Sequence, residues 1–207
     1  MKILAISDKI VDIIYTPSIE KRLADIDLIV SSGDLPNNYL EFIVTILNKP
    51  LYYVFGNHHR DVTYTDKGKK TGGPEGCINI DNRIIEHNGL LIGGLEGSMR
   101  YSPGKYQYTD FEMSMKINRL RPRLYKNKLF KKKFIDILVT HAPPYKIHDR
   151  EDRCHQGFKS FSRFIESYKP KYLIHGHIHY YGCDNEWLTE VNGTKVINAY
   201  GYQIIEI

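Results

Sequence analysis

Leu51-Tyr52-Tyr53-Val54-Phe55-Gly56-Asn57-His58 is an apolar run that stops abruptly in a Gly-Asn-His turn. The same grammar recurs along the chain. KILAIS precedes Asp8, LIVSS precedes Gly33-Asp34, FIDILVT ends on the residue before His141, and LIHGHIH carries His177 and His179. Short apolar runs rich in Ile, Val, Leu, Tyr and Phe, each closed by a polar or glycine-containing turn, read as buried strands of an α/β sheet. In such sheets the carboxyl ends of the strands open into a shared crevice. Residues far apart in sequence meet there, which brings Asp8, Asp34, Asn57, His141, His177 and His179 together, with His58 beside them.

Carboxylates crowded into a poorly solvated cleft repel each other and are driven to protonate, unless a cation is present. Carboxylate, amide carbonyl and imidazole donors suit Mn, Fe, Zn, Ni or Co better than Ca, which takes all-oxygen shells. No thiolate belongs to the set, which argues against a structural zinc site. A lone histidine reads as an ordinary core or loop residue; the ordered recurrence at strand ends is what gives these histidines another reading.

The clusters resemble those of the calcineurin-like metallophosphoesterase family, whose pattern is D-x-H, G-D, G-N-H-D/E, H and G-H-x-H at successive strand ends. The resemblance runs from Asp8 to His179, and with the closing strands to Ile207. It implies a single domain over residues 1–207, built as a four-layer α/β/β/α sandwich of two mixed sheets flanked by helices. It also implies a dinuclear centre that activates water for attack on a phosphomonoester or phosphodiester. One divalent ion would be held by Asp8 and His179 and the other by Asn57, His141 and His177, with Asp34 bridging. The ions expected are Mn or Fe/Zn, with Ni or Co as further candidates. His58 would contact the phosphate or protonate the leaving oxygen.

Two positions depart from the pattern. Ile10 stands where the family has a metal-binding histidine, so the Asp8/His179 site loses a ligand and is expected to bind more weakly. Asp12 is the nearest spare carboxylate, but it reads as a solvated or capping residue. His59 replaces the acidic residue that orients the catalytic histidine, a role for which Asp61 or Asp110 are the candidates. These departures keep a second class of function in view, a weakly active or non-catalytic binding protein of the same fold. A nuclease or nucleotide phosphodiesterase would use the same centre.

The 207 residues suffice for one well-buried α/β domain. Helices are expected over Tyr39–Leu47, Asp110–Tyr125 and Phe158–Tyr168. The segment from Glu186 to Ile207 reads as antiparallel strands, WLTEV and TKVINAY joined by an Asn192-Gly193 hairpin turn, then YQIIEI. Cys77, Cys154 and Cys183 are odd in number and widely spaced, as in reduced cytosolic proteins. With no apolar stretch of spanning length, the expectation is a cytoplasmic protein that does not cross a membrane. The net charge is +5, and Lys126, Lys128, Lys131, Lys132 and Lys133 cluster before the strand that ends at His141. They read as a solvated helix end that complements the helix dipole, with nucleic-acid binding the weaker alternative. A small phosphoester is the expected substrate.

Two loops are expected to overhang the crevice. One is Arg60–Gly76, with Lys67, Lys69, Lys70, Gly72 and Gly73; the other is Gly97–Thr109, with Arg100, Tyr101, Tyr106 and Tyr108. His59, Arg100, His148 and His155 are the candidate substrate contacts, and His175, just before Gly176, reads as structural.

Overall fold

The computed structural model describes residues 1–59, 62–65, 68–179 and 187–207, with backbone alone for 62–65 and 68–71. Lys67, Asp61, Cys183 and the side chains of Lys69 and Lys70 fall outside the described residues. The chain starts with β1 (Lys2–Ser7), the short helix α1 (Ile19–Arg22), β2 (Leu28–Ser31), α2 (Asn37–Leu47) and β3 (Leu51–Tyr53). A hairpin of β4 (Val62–Thr65) and β5 (Gly68–Thr71) follows, then β6 (Ile78–Asn79), β7 (Ile84–His87) and β8 (Leu90–Leu95). Next come β9 (Ser98–Met99), β10 (Gln107–Tyr108), α3 (Asp110–Lys131), β11 (Ile137–Thr140), α4 (Lys159–Tyr168) and β12 (Tyr172–His175). The chain closes with β13 (Leu188–Val191), β14 (Thr194–Asn198) and β15 (Gly201–Glu206).

Two mixed sheets form, ordered β15-β1-β2-β3-β6 and β13-β14-β12-β11-β8-β7. Strand periodicity explains why they stack. In β1, Ile3 and Ala5 face the second sheet and pack with Ile137, Val139 and Ile174. The alternate residues Leu4 and Ile6 face outward onto Ile19, Tyr39 and Ile43 of α1 and α2. On the other side, Leu138, Leu173 and Val196 pack against Met113, Leu120, Phe161 and Phe164 of α3 and α4. Being buried on both faces, these strands read as continuous apolar runs. The result is the expected four-layer sandwich.

Details of the expected elements shift. α3 runs six residues past Tyr125, so Lys126, Lys128 and Lys131 belong to the helix rather than to a linker. Pro122 lies inside it on the exposed face, where the carbonyl left without a backbone partner can turn to solvent. Its start is fixed by a reciprocal capping box between Thr109 and Glu112. The C-terminal strands are not one antiparallel set. β13 and β14 do form the antiparallel hairpin over Asn192-Gly193, but β14 pairs with β12 in parallel. β15 crosses to the first sheet and lies antiparallel to β1.

Candidate metal centre

β1, β2, β3, β11 and β12 all run parallel within their sheets, and the polar clusters lie just past their carboxyl ends. Asp8, Asp34 and His177 each turn out of a strand at positive φ, at 61°, 54° and 67°. Asp, Asn and His tolerate this left-handed region better than other non-glycine residues, yet it still costs of the order of 1 kcal/mol each. Two motif glycines are there for space. A Cβ on Gly56 would collide with Asp34 Oδ1 and come to 2.7 Å from His141 Cε1; one on Gly176 would collide with Asp8 Oδ2 and Ser7 Oγ.

His141 is fully buried. Its Nδ1–H donates to the Ser32 carbonyl at 2.8 Å, which leaves Nε2 facing Asn57 Oδ1 at 2.9 Å and Asp34 Oδ2 at 3.2 Å. His177 Nε2–H donates to the Cys154 carbonyl at 2.8 Å, so its Nδ1 is the nitrogen left with a lone pair. Donor atoms of Asp34, His141 and His177 lie within 4.8 Å of one another. A neutral His141 would point a lone pair at two oxygen acceptors with no donor among them. That arrangement calls for a cation, and the donor set fits a divalent metal.

Ionisation follows from this crowding. Burial pushes the Asp34 carboxyl up, but the adjacent His141 and the His58 backbone N–H, at 2.9 Å, bring it down to about 2. Burial lowers the His141 imidazole, and the charge and hydrogen bond of Asp34 outweigh it, raising the group to about 9. His177 is pushed down to about 4 by burial and by the His141 cation. In the metal-free protein a proton on His141 Nε2 therefore takes the place of the cation.

The second half of the cluster is looser. Asp8 Oδ2 accepts from the Ser7 hydroxyl and from His177 N–H at 2.8 Å, leaving Oδ1 turned to His179 Nε2 at 3.6 Å. His179 stacks on Tyr200, with ring centroids 4.7 Å apart, and its carbonyl accepts from Arg150 at 2.6 Å. Ile10 is 41% exposed and fills no core space. Asp12 is exposed, in keeping with a solvated residue.

The candidate substrate contacts divide. His155 stays beside the cluster, its ring 5.4 Å from that of His177 and its Nδ1 bonded to Asp152 at 2.8 Å. His58 is exposed, and the contact that ties it to the site is its backbone N–H on Asp34. The other three are engaged with neighbouring side chains. His148 is not at the rim, because both ring nitrogens are committed, Nδ1 to His175 Nε2 at 2.8 Å and Nε2 to Thr189 Oγ1 at 2.8 Å. Burial lowers both of these imidazoles, His148 to about 4, so the pair is neutral. Arg100 is held by Glu112, at 2.9 Å to each carboxylate oxygen, and by the Gln107 carbonyl. His59 is stacked on Phe55, with centroids 3.9 Å apart, and meets Tyr106. Asp110 does not orient His58 either, since its oxygens cap Ser160 N and pair with Arg163.

Several contributors had no local sign in the sequence. The Ser32 and Cys154 carbonyls orient two histidines, and any residue type supplies a carbonyl. Asn198 Nδ2 holds the Ile178 carbonyl at 2.9 Å inside the G-H-x-H turn, and Tyr200 follows on the same strand end. A parallel β14 would have marked both, because its end then opens into the same crevice. Tyr101 was visible only as a loop aromatic. Its hydroxyl accepts from Asn57 Nδ2 at 3.1 Å, which fixes the amide so that Oδ1 faces His141.

A four-layer sandwich with acid, amide and imidazole donors converging past parallel strand ends defines a metal-dependent phosphoesterase type of protein. A sequence profile described as calcineurin-like phosphoesterase matches residues 1–181, and the chain belongs to that family. No curated protein sequence gives a significant match. One solved crystal structure aligns with a TM-score of 0.67 at 15% identity, covering 99% of this chain and 94% of the other. TT1561 of Thermus thermophilus aligns with a TM-score of 0.62 at 15% identity, covering 97% and 89%. At such identities the likeness is one of fold. The family implies divalent metal ions, and no described helix is long and apolar enough to cross a membrane.

Proposed function

We propose that the protein is a phosphoester hydrolase working in the cytoplasm as one domain over residues 1–207, with two divalent ions, Mn or Fe/Zn first among the candidates. Asn57 Oδ1, His141 Nε2 and His177 Nδ1 would hold one ion, Asp8 and His179 the other more weakly, with Asp34 between them. When bound, such ions polarise phosphoryl oxygens and lower the pKa of a water. The observation that carries this reading is the meeting of His141 Nε2, Asn57 Oδ1 and Asp34 Oδ2, which for a neutral His141 leaves no hydrogen-bond donor among them, so that a proton or a metal ion must fill the gap.

The chain's own groups do the rest. Asp34, held as a carboxylate, and neutral His177 need no proton removed before binding a cation. The Ser32 and Cys154 carbonyls fix the tautomers of His141 and His177, and Tyr101 fixes the Asn57 amide. His58, exposed beside Asp34, would protonate the leaving oxygen. The substrate would be a small phosphomonoester or phosphodiester.

The test is a turnover screen of aryl phosphates, cyclic nucleotides and dinucleotides with Mn, Ni, Co, Mg and Zn. Turnover that needs added metal and disappears in Asp34→Asn is expected. Metal binding without turnover of any ester would favour the binding-protein reading, which the exposed Ile10 already motivates.

A further inference from the structure

At the other end of the second sheet, the amino ends of β11 and β12 meet the carboxyl ends of α3 and α4. Lys128, Lys132, Lys133, Lys169 and Lys171 line a cavity of about 350 Å³ there, with Asp136 the acid in its lining. Asp136 pairs with Lys133 at 2.6 Å and lies 3.8 Å from Lys171. Two helix ends each contribute about half a negative charge. Five lysines against these and one carboxylate leave a surplus of about three positive charges. Helix capping therefore does not account for the lysines.

The outer face of α3 continues this surface. From Asn118 to Lys133 the sequence has eight Lys and Arg residues and no acid. Phe111, Met115, Tyr125 and Leu129 are 74%, 45%, 53% and 65% exposed. Their spacing by four, ten and four residues puts them along one line of the helix face, spread over about 80°. That line is directly opposite the buried Met113, Ile117, Leu120 and Leu124. Phe130, 71% exposed, lies beside it. Arg119, Arg123 and Lys126 flank the ridge on one side and Arg121, Lys128 and Lys132 on the other.

We propose that this face of α3, with the lysine cavity at its end, docks the protein on an anionic phospholipid surface. The charge surplus selects a polyanion. The apolar ridge selects a bilayer over a nucleic acid, because Phe111, Met115 and Leu129 sit at the centre of the face, where phosphate contacts would need cations. Cations on both flanks of an apolar strip are the pattern of a helix lying in the headgroup plane. A second copy of this chain is disfavoured because the six cations that flank the ridge would face themselves. Asp136 precedes β11 and His141 follows it, so docking leaves the metal crevice open.

The test is cosedimentation of the full chain with vesicles of phosphatidylcholine alone or mixed with phosphatidylserine. Binding to the mixed vesicles only, weakened by salt, is expected. Lys128→Glu with Lys132→Glu should lower it by about twenty-fivefold or more, from roughly fivefold per lysine. Leu129→Ser with Phe130→Ser should lower it comparably, and circular dichroism should show all variants folded. No vesicle binding overturns the proposal. So does binding untouched by the Leu129/Phe130 change, stronger binding to a single-stranded oligonucleotide, or a dimer in solution broken by that same change.

Discussion

Metal binding at the Asn57/His141/His177 site should expel one proton near neutral pH, and its apparent affinity should climb steeply with pH. The perturbation is a change of pH during titration of the metal-free protein with Mn. The magnitude comes from the three ionisations. Asp34, at about 2, and His177, at about 4, are deprotonated at neutral pH and release nothing. His141 is raised to about 9, so the metal-free protein holds its proton until pH passes that value. The sign follows: below about 9 the metal must displace a proton from Nε2, and above it none remains.

Two pH units separate neutrality from that value, so the proton weakens apparent binding about a hundredfold at pH 7, or about 2.7 kcal/mol. Apparent affinity should rise about tenfold per pH unit between about pH 6.5 and 8.5. Calorimetry in buffers of different ionisation enthalpy should count about one proton released per ion. In the metal-free protein the Asp34–His141 pair has the opposite trend. Its raised imidazole stabilises the fold below the ordinary histidine value and loses that contribution as pH rises through about 9. Affinity that stays flat over this range, or release of no proton, would refute the argument that a proton stands where the cation binds.

Three further outcomes are expected. His58→Ala should keep its metal, because the backbone N–H on Asp34 survives, while turnover falls about a hundredfold, less for aryl esters with weakly basic leaving groups; metal loss on dialysis would assign the ring to capture instead. Ile10→His, at a position 41% exposed, should raise metal occupancy of the Asp8/His179 site after dialysis without changing the melting temperature; unchanged occupancy would mean the side chain cannot reach. Gly176→Ala should lower stability by about 1–3 kcal/mol and weaken metal binding, since the new Cβ meets Asp8 and Ser7, and denaturant unfolding of the metal-free variant measures the first part.

The strand ends were legible because each parallel strand is buried on both faces, which writes it as an unbroken apolar run with a sharp stop. The helices were legible in place but not in length. The helix expected over Asp110–Tyr125 ran through Pro122 but stopped short of Lys131, because the last turns, with Leu129 and Phe130 exposed, add nothing to the buried stripe. Strand direction was not legible past Asn192-Gly193. A two-residue turn announces the β13–β14 hairpin, while the parallel pairing of β14 with β12 is decided by contacts more than twenty residues apart. Asn198 and Tyr200 were missed for that reason. His175 was read as structural and is a buried ring, whereas its partner His148 was read as a rim candidate, because a histidine in a loop looks the same whether its partner is a substrate or a buried ring.

Viewed as a stability problem alone, the crevice is badly made. Asp8, Asp34 and His177 sit at positive φ, His141 is buried with a carboxylate, and Gly56 and Gly176 give up side-chain packing so that acids can approach. Each of these choices costs free energy in the folded chain, of the order of 1 kcal/mol or more. The proton on His141 recovers part of that cost within one half of the cluster. It does nothing for Asp8 and His179, 3.6 Å apart and only weakly engaged. A cation in each half would offset the electrostatic terms together, and under the proposed two-ion reading the looser Asp8/His179 half, short of a ligand at Ile10, is where activity would be limited.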